Sequence, residues 1–129
     1  MNPEQLAKTS EHSHQMAFFA WCQQQSVIYP KLKFAFAIPN GGARDKRTAS
    51  NLKAEGVKKG VPDVFIPIAA HGCHGLWIEF KRPGTETQAE GKLSPEQKEF
   101  RNFALSENYG HFVAYSYSQA VDCVVRYLS

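Results

Sequence analysis

Three charged residues accompany two apolar runs near the middle of the sequence. Asp63 precedes the run VFIPI, Glu79 lies within the run LWIEF, and Lys81 follows it. Residues two apart on a strand project from the same face, so Glu79 and Lys81 share a face if the second run is a strand. If the two runs pair, Asp63 comes close to Glu79, and two converging carboxylates repel each other unless a cation lies between them.

Carboxylate oxygens with a carbonyl and waters favour a hard cation such as Mg²⁺ or Mn²⁺. A lysine beside such a site can orient water and offset negative charge on a phosphate. The pattern therefore predicts metal-assisted phosphate chemistry. The alternative is that Asp63 is a turn residue that begins a strand, and that Glu79 and Lys81 form a surface ion pair.

A basic segment precedes Asp63. It contains six basic residues against Asp45 and Glu55: Arg44, Lys46, Arg47, Lys53, Lys58 and Lys59. This local excess is a candidate phosphate-binding surface, and the alternative is a solvated basic helix face.

The composition narrows the class of protein. With 129 residues the chain is long enough for one domain, so we expect a single domain over residues 1–129. No apolar run approaches the roughly 20 residues that cross a bilayer, and the polar N-terminus lacks the apolar region of a signal peptide. We therefore expect a soluble intracellular protein without a membrane partner. Its three cysteines are widely separated and do not form a disulfide framework.

Hydrophobic periodicity and turn residues predict an α/β domain with a central mixed sheet flanked by helices. Ser10 is expected to cap the first helix, Gly56 to end a second, and Ser94 with Gln97 to form a capping box. The predicted elements are helix 10–25, strand 32–38, helix 44–56, strands 64–68 and 76–80, a helix from Ser94, strand 111–115 and helix 118–128.

Other polar groups have simpler explanations. His71, Cys73 and His74 are too closely spaced for the usual paired-ligand zinc motifs, so we expect a turn there. Asn40, Gly41 and Gly42 form either a turn or a close approach of backbone to a phosphate. A further expectation places Trp77, Phe100 and Phe103 in the core.

The charged residues belong to a larger pattern. Pro62-Asp63 followed by Glu79-Phe80-Lys81 is the signature of the PD-(D/E)XK nuclease superfamily. From about residue 11 to the end, the chain resembles the VRR-NUC family, and above all its short, stand-alone bacteriophage members. The resemblance rests on the ordered motifs EHSHQ, PNGG, KGVPD, WIEFK and LSPEQ.

The resemblance implies a restriction-endonuclease-like fold and a metal-dependent endonuclease. It assigns Asp63, Glu79 and the Phe80 carbonyl to Mg²⁺ or Mn²⁺, and Lys81 to positioning the attacking water. Glu11 would reach the same site from the first helix, although an acidic residue in a first turn is also an ordinary partner of the helix dipole.

Gln97 would lie beside Lys81 and orient it or the phosphate, although a capping box also explains it. The linker between Lys81 and Ser94 is longer and more acidic than the family pattern needs, and it is expected to be flexible.

Stand-alone members resemble Holliday-junction resolvases. The implied partner is therefore branched DNA with four-way junctions, and the implied assembly is a homodimer, since symmetric cleavage needs two sites. The implied location is the cytoplasm of a bacterial host. The residues expected to contact DNA are Asn40, Gly41, Gly42, Arg44, Arg47, Lys53, Lys58 and Lys59. The alternatives are a flap or duplex-nicking nuclease, a non-catalytic DNA-binding module, and a protein-interaction domain without DNA affinity.

Overall fold

The computed structural model describes the backbone of residues 3–40 and 45–129, and side chains from residue 11 onward within those ranges. Its elements are α1 (Pro3–Gln25), a 3-10 helix (Pro30–Phe34), β1 (Phe36–Ala37), α2 (Lys46–Ala54), β2 (Val64–Ile66), β3 (Leu76–Phe80), α3 (Pro95–Ser106), β4 (Gly110–Ala114) and α4 (Tyr117–Leu128). Among the described residues, no helix is long and apolar enough to cross a membrane.

The strands form a mixed sheet in the order β1-β2-β3-β4. The pairs β1–β2 and β2–β3 are antiparallel, whereas β3 and β4 run parallel and are connected through α3. The predicted α/β class with a mixed sheet is therefore confirmed.

Strand pleating gives the sheet two different faces. Val64, Ile78 and Phe80 point to the face that packs against α1 and α4 and forms the main core. Phe18 of α1 is fully buried there, with its ring centroid 5.9 Å from that of Phe80. The opposite face carries Trp77, which contacts Phe100 of α3 at 5.1 Å between ring centroids.

The predicted strand over residues 32–38 is mostly wrong. Pro30 begins a 3-10 helix that buries Leu32, and only Phe36 and Ala37 pair with β2. A proline with its φ already fixed readily starts such a turn, and the apolar run that follows cannot by itself distinguish strand from helix.

The start of α1 also differs from the prediction. The helix begins at Pro3, so Ser10 lies within it and does not cap it, and Glu11 is not in the first turn. The remaining boundaries differ by a few residues at most, and Gly56 ends α2 with a φ of 101°, as predicted.

The linker between β3 and α3, whose flexibility stays a prediction, has internal hydrogen bonds. The amide of Thr85 donates to the carbonyl of Gln88 at 2.7 Å, and that of Gly91 donates to the carbonyl of Arg82 at 2.9 Å. These bonds fold the linker back toward the end of β3.

Candidate active site

Asp63 and Glu79 come together because β2 and β3 are antiparallel and in register. Val64 pairs with Ile78, so Asp63 and Glu79 lie one step beyond that pair, on the other face of the sheet. The Oδ2 atom of Asp63 accepts a hydrogen bond from the backbone N–H of Phe80 at 2.8 Å. This bond fixes one carboxylate beside the strand that carries the other.

Glu79 is the most unusual residue of the site. Its side chain is only 4% exposed, and it is the buried charged residue of the described chain. Its Oε1 atom accepts a hydrogen bond from Nε2 of Gln97 at 3.1 Å, whereas its buried Oε2 atom has no hydrogen-bond partner among the described residues. Burial, and then the neighbouring Asp63 carboxylate, raise the pKa of Glu79 to about 9. An ionised Glu79 therefore needs a compensating cation at this position.

Gln97 forms the predicted capping box and also reaches the site, where its described partner is Glu79 and not Lys81. Ser94 and Gln97 form the predicted capping box, in which the Ser94 amide donates to Oε1 of Gln97 at 2.8 Å. The other end of the Gln97 amide holds Glu79. Because one oxygen and one nitrogen of the same amide make these bonds, the first turn of α3 is tied to the strand that carries Glu79.

Lys81 and Glu11 lie at the end of β3. The Lys81 charge acts to lower the pKa of both Glu79 and Glu11, which places it within electrostatic range of both carboxylates. Glu11 accepts a hydrogen bond from the Arg82 amide at 3.0 Å, and burial raises its pKa. α1 therefore brings Glu11 to the edge of the site.

The donor set fits a divalent cation, but it is not a closed cage. In the part of the chain that the structure describes, no three His, Cys, Asp or Glu side chains converge as a ready metal cluster. The unpartnered Oε2 of Glu79 beside the Asp63 carboxylate is the arrangement in which a cation relieves both desolvation and repulsion. Glu11 is directed to the Arg82 amide in this arrangement.

A groove of about 1060 Å³ opens in front of the two carboxylates. Asp63 and Glu79 line it together with Lys53, Lys58 and Lys59. Three of the predicted phosphate-contacting lysines therefore line the same groove as the two carboxylates. Of the other predicted DNA-contacting residues, Arg47 is exposed on α2 and does not line the groove, while Gly41, Gly42 and Arg44 lie outside the described residues.

Asn40 also lines the groove, but its amide is already engaged. Its Nδ2 atom donates to the carbonyls of Val61 at 2.6 Å and Pro62 at 3.1 Å. In addition, the Ile38 amide donates to the carbonyl of Asp63 at 2.8 Å. The segment after β1 therefore holds the backbone that leads into Asp63. The sequence analysis missed this contact, because nothing in the local pattern pairs residues more than 20 positions apart.

Gly60 is a second residue whose importance the sequence analysis missed. Its φ is +91°, and a Cβ atom built there would lie 2.5 Å from the carbonyl oxygen of Glu96 in α3. Only glycine allows this loop to come so close to the first turn of α3. The motif KGVPD contains the relevant indication, since its glycine lies three residues before the aspartate and can adopt the positive φ that this loop requires.

The comparisons with known proteins agree with this geometry. A sequence model of the VRR-NUC domain matches residues 9–118. A solved structure described as a VRR_NUC domain protein is similar, with 27% sequence identity and a TM-score of 0.75, and the match covers 92% of this chain and 88% of the other. No curated protein matches the sequence.

Proposed function

Because the chain belongs to the VRR-NUC family of nucleases, we propose that it is a metal-dependent endonuclease that hydrolyses phosphodiester bonds in branched DNA, with four-way junctions as its preferred substrate. One observation carries the proposal. The buried Glu79, whose Oε2 atom has no hydrogen-bond partner among the described residues, lies beside Asp63 in a groove that three lysines help to line. Such a carboxylate is costly to keep in a folded protein without a cation to compensate it.

The proposed cofactor is Mg²⁺ or Mn²⁺. Asp63 and Glu79 would hold it, together with the Phe80 carbonyl that the family resemblance assigns to it, and Glu11 would reach it directly or through a water. When bound, the cation polarises the phosphate and stabilises the departing oxygen.

The remaining residues have separate roles. Lys81 orients the attacking water and offsets negative charge on the phosphate, because its ammonium is within electrostatic range of Glu79. Gln97 holds one oxygen of Glu79 and so leaves the other free to act as a ligand. Asn40 positions the chain that carries Asp63 through the carbonyls of residues 61 and 62.

The DNA backbone would follow the groove. Lys53, Lys58 and Lys59 are exposed along it and would contact phosphates, which contributes affinity but not sequence preference. Arg47, which is exposed on α2, would extend the same basic surface. A junction is cut symmetrically by two sites, so the proposal includes a homodimer with two-fold symmetry.

The direct test is cleavage of a labelled four-way junction beside a linear duplex of matched arm sequence. Each is incubated with Mg²⁺ or Mn²⁺ and with EDTA. We expect paired, symmetric cuts in the junction that require the metal and disappear in Lys81→Ala. The matched control is Lys98→Ala, which removes an exposed lysine that does not line the groove.

The other outcomes distinguish the alternatives. Equal cutting of both substrates would replace the junction preference with general duplex nicking. Intact DNA under every condition, with salt-dependent binding retained, would refute the catalytic proposal and leave a DNA-binding module.

A further inference from the structure

The catalytic face of the sheet continues into a row of aromatic side chains. Phe36, Phe65 and Trp77 are directly opposite one another on β1, β2 and β3. Asp63 and Glu79 are each two residues away on the same strands, and therefore project from the same face. The aromatic row thus begins about 7 Å along the strands from the two carboxylates.

The row is covered at one end and open at the other. Phe65 and Trp77 stack with their ring centroids 4.3 Å apart, and Phe100 of α3 covers Trp77. Phe36 lies on the edge strand, and its ring centroid is 5.8 Å from that of Phe65 in a T-shaped arrangement. Its side chain is 49% exposed, and that of nearby Phe34 is 60% exposed.

Two lysines lie on the 3-10 helix that leads into β1 and the open end. Lys31 and Lys33 are exposed on the 3-10 helix, and the Lys33 ammonium lies 5.0 Å from the centroid of the Phe34 ring. The sequence contains no Asp or Glu between Glu11 and Asp45. No carboxylate of the described chain forms an ion pair with either lysine. We call Lys31, Lys33, Phe34 and Phe36 the aromatic-basic platform.

We propose that this platform binds an unpaired nucleotide of the DNA next to the scissile phosphate. The base stacks on the exposed phenylalanine rings, and the two lysines contact the flanking phosphates. This combination of aromatic faces with a positively charged track is how proteins bind single-stranded nucleic acid. In paired DNA the faces of the bases are already stacked, so the platform favours a frayed, branched or gapped substrate.

The charge of the platform argues against a second copy of the chain as its occupant. A two-fold contact centred on this patch would place the same lysines of both copies near each other without a carboxylate to pair them. A DNA strand supplies negative charge and apolar base surface together. The inference rests on the proposed function for the identity of the substrate, but binding can be measured without cleavage.

The test is fluorescence anisotropy in EDTA, where no cut occurs. The probes are a labelled duplex and the same duplex with a short unpaired tract. We expect Phe34→Ala/Phe36→Ala to weaken binding to the probe with the unpaired tract by roughly tenfold, since base–aromatic stacking contributes about 1–3 kcal/mol per base. Binding to the plain duplex should stay within about twofold.

Two further variants make the test specific. Phe36→Leu keeps an apolar side chain on the edge strand but removes the π face, so the result does not depend on whether the double variant folds well. Phe103→Ala is the matched control, because Phe103 is similarly exposed, at 58%, but belongs to α3 and not to the platform. It should bind both probes like the unchanged protein.

Unchanged affinity of both Phe36 variants for the unpaired tract would overturn the proposal. So would a sedimentation measurement in which the platform variants convert a dimer to a monomer while DNA affinity stays constant, because the surface would then belong to a second copy. If the unchanged protein cuts no DNA but still binds the unpaired tract about tenfold more tightly than Phe34→Ala/Phe36→Ala, the proposed nuclease function is refuted and the platform proposal is supported.

Discussion

Replacing Glu79 with glutamine should stabilise the metal-free protein at pH 8. The carboxyl is buried beside Asp63, and these two causes raise its pKa from the ordinary value of 4.5 to about 9. In the unfolded chain the same group is ionised at pH 8, so folding without metal requires it to take up a proton. Glutamine has nearly the same shape and carries no charge, so the variant avoids this cost.

The size of the effect follows from the two pKa values. Each pH unit between the unfolded pKa and the working pH contributes about 1.4 kcal/mol, so the burden at pH 8 is at most about 5 kcal/mol. Asp63 shares the repulsion, and the buried amide needs its own partners. We therefore expect Glu79→Gln to raise the free energy of unfolding by about 2–4 kcal/mol at pH 8.

The sign of the pH dependence is specific. The folded-state pKa of Glu79 is raised, so the folded protein binds the proton more tightly than the unfolded chain does. The contribution of Glu79 to the free energy of unfolding is therefore fully present below the unfolded pKa and is lost as the pH rises from 4.5 toward 9. The advantage of the variant should shrink to less than about 1 kcal/mol at pH 5. The assay is urea denaturation in EDTA at pH 5 and pH 8, with Glu99→Gln, an exposed glutamate of α3, as the control.

Adding metal should reduce the difference in stability between the two proteins. Millimolar Mg²⁺ or Mn²⁺ should raise the unfolding midpoint of the unchanged protein at pH 8 and affect Glu79→Gln much less, because binding to the folded state alone is stabilising. The reasoning is refuted if the variant is no more stable than the unchanged protein at pH 8 without metal. It is equally refuted if the difference between them does not depend on pH.

Two further expectations concern the supports of the site, and a third concerns His111 of β4. Asn40→Ala should lower single-turnover cleavage about tenfold while DNA affinity in EDTA changes little; a loss mainly of affinity would instead assign Asn40 to DNA contact. Gly60→Ala should lower the free energy of unfolding in urea by about 2–4 kcal/mol. The control Gly56→Ala should lower it by about 1 kcal/mol, because Gly56 has a similar φ but an added Cβ there would have open space. Equal losses in the two variants would remove the steric explanation. Burial and then the Arg101 charge lower the pKa of His111 to about 4, so its contribution to stability is lost as the pH falls from 6.5 toward 4. His111→Phe should therefore remove about 1–2 kcal/mol of the stability loss between pH 7 and 4.5. Parallel curves of unfolding free energy against pH for the two proteins would contradict this expectation.

The part of the site that could be predicted from the sequence is the part that depends on local periodicity. The alternation of a strand is enough to place Glu79 and Lys81 on one face and Phe80 on the other, and pairing of two adjacent runs brings in Asp63. The capping box of Ser94 and Gln97 is equally local, since it depends on residues three apart.

The parts that could not be predicted depend on contacts across long stretches of chain. Asn40 donates hydrogen bonds to the carbonyls of residues 61 and 62, and Glu11 accepts one from the Arg82 amide. These bonds join segments that are brought together by the packing of α1 and β1. For the same reason the strand predicted over 32–38 was wrong: its apolar residues satisfied a strand pattern, but only the last part reaches β2. The expectation that Phe103 is in the core failed as well, because α3 covers Trp77 with Phe100 and leaves Phe103 at the surface.

The supports of Glu79 indicate why so costly a group persists. Its Oε1 atom accepts a hydrogen bond from Gln97, whose helix can approach closely because position 60 is glycine. Its neighbour Asp63 accepts a hydrogen bond from the Phe80 amide. None of these contacts neutralises the carboxylate charge, and the Lys81 ammonium offsets it only in part, since the pKa of Glu79 stays raised to about 9. They instead fix two carboxylates in place and leave one oxygen without a partner. Rigidly held carboxylates with incomplete charge compensation favour metal binding. A bound cation would relieve the desolvation and the mutual repulsion that the metal-free protein leaves uncompensated.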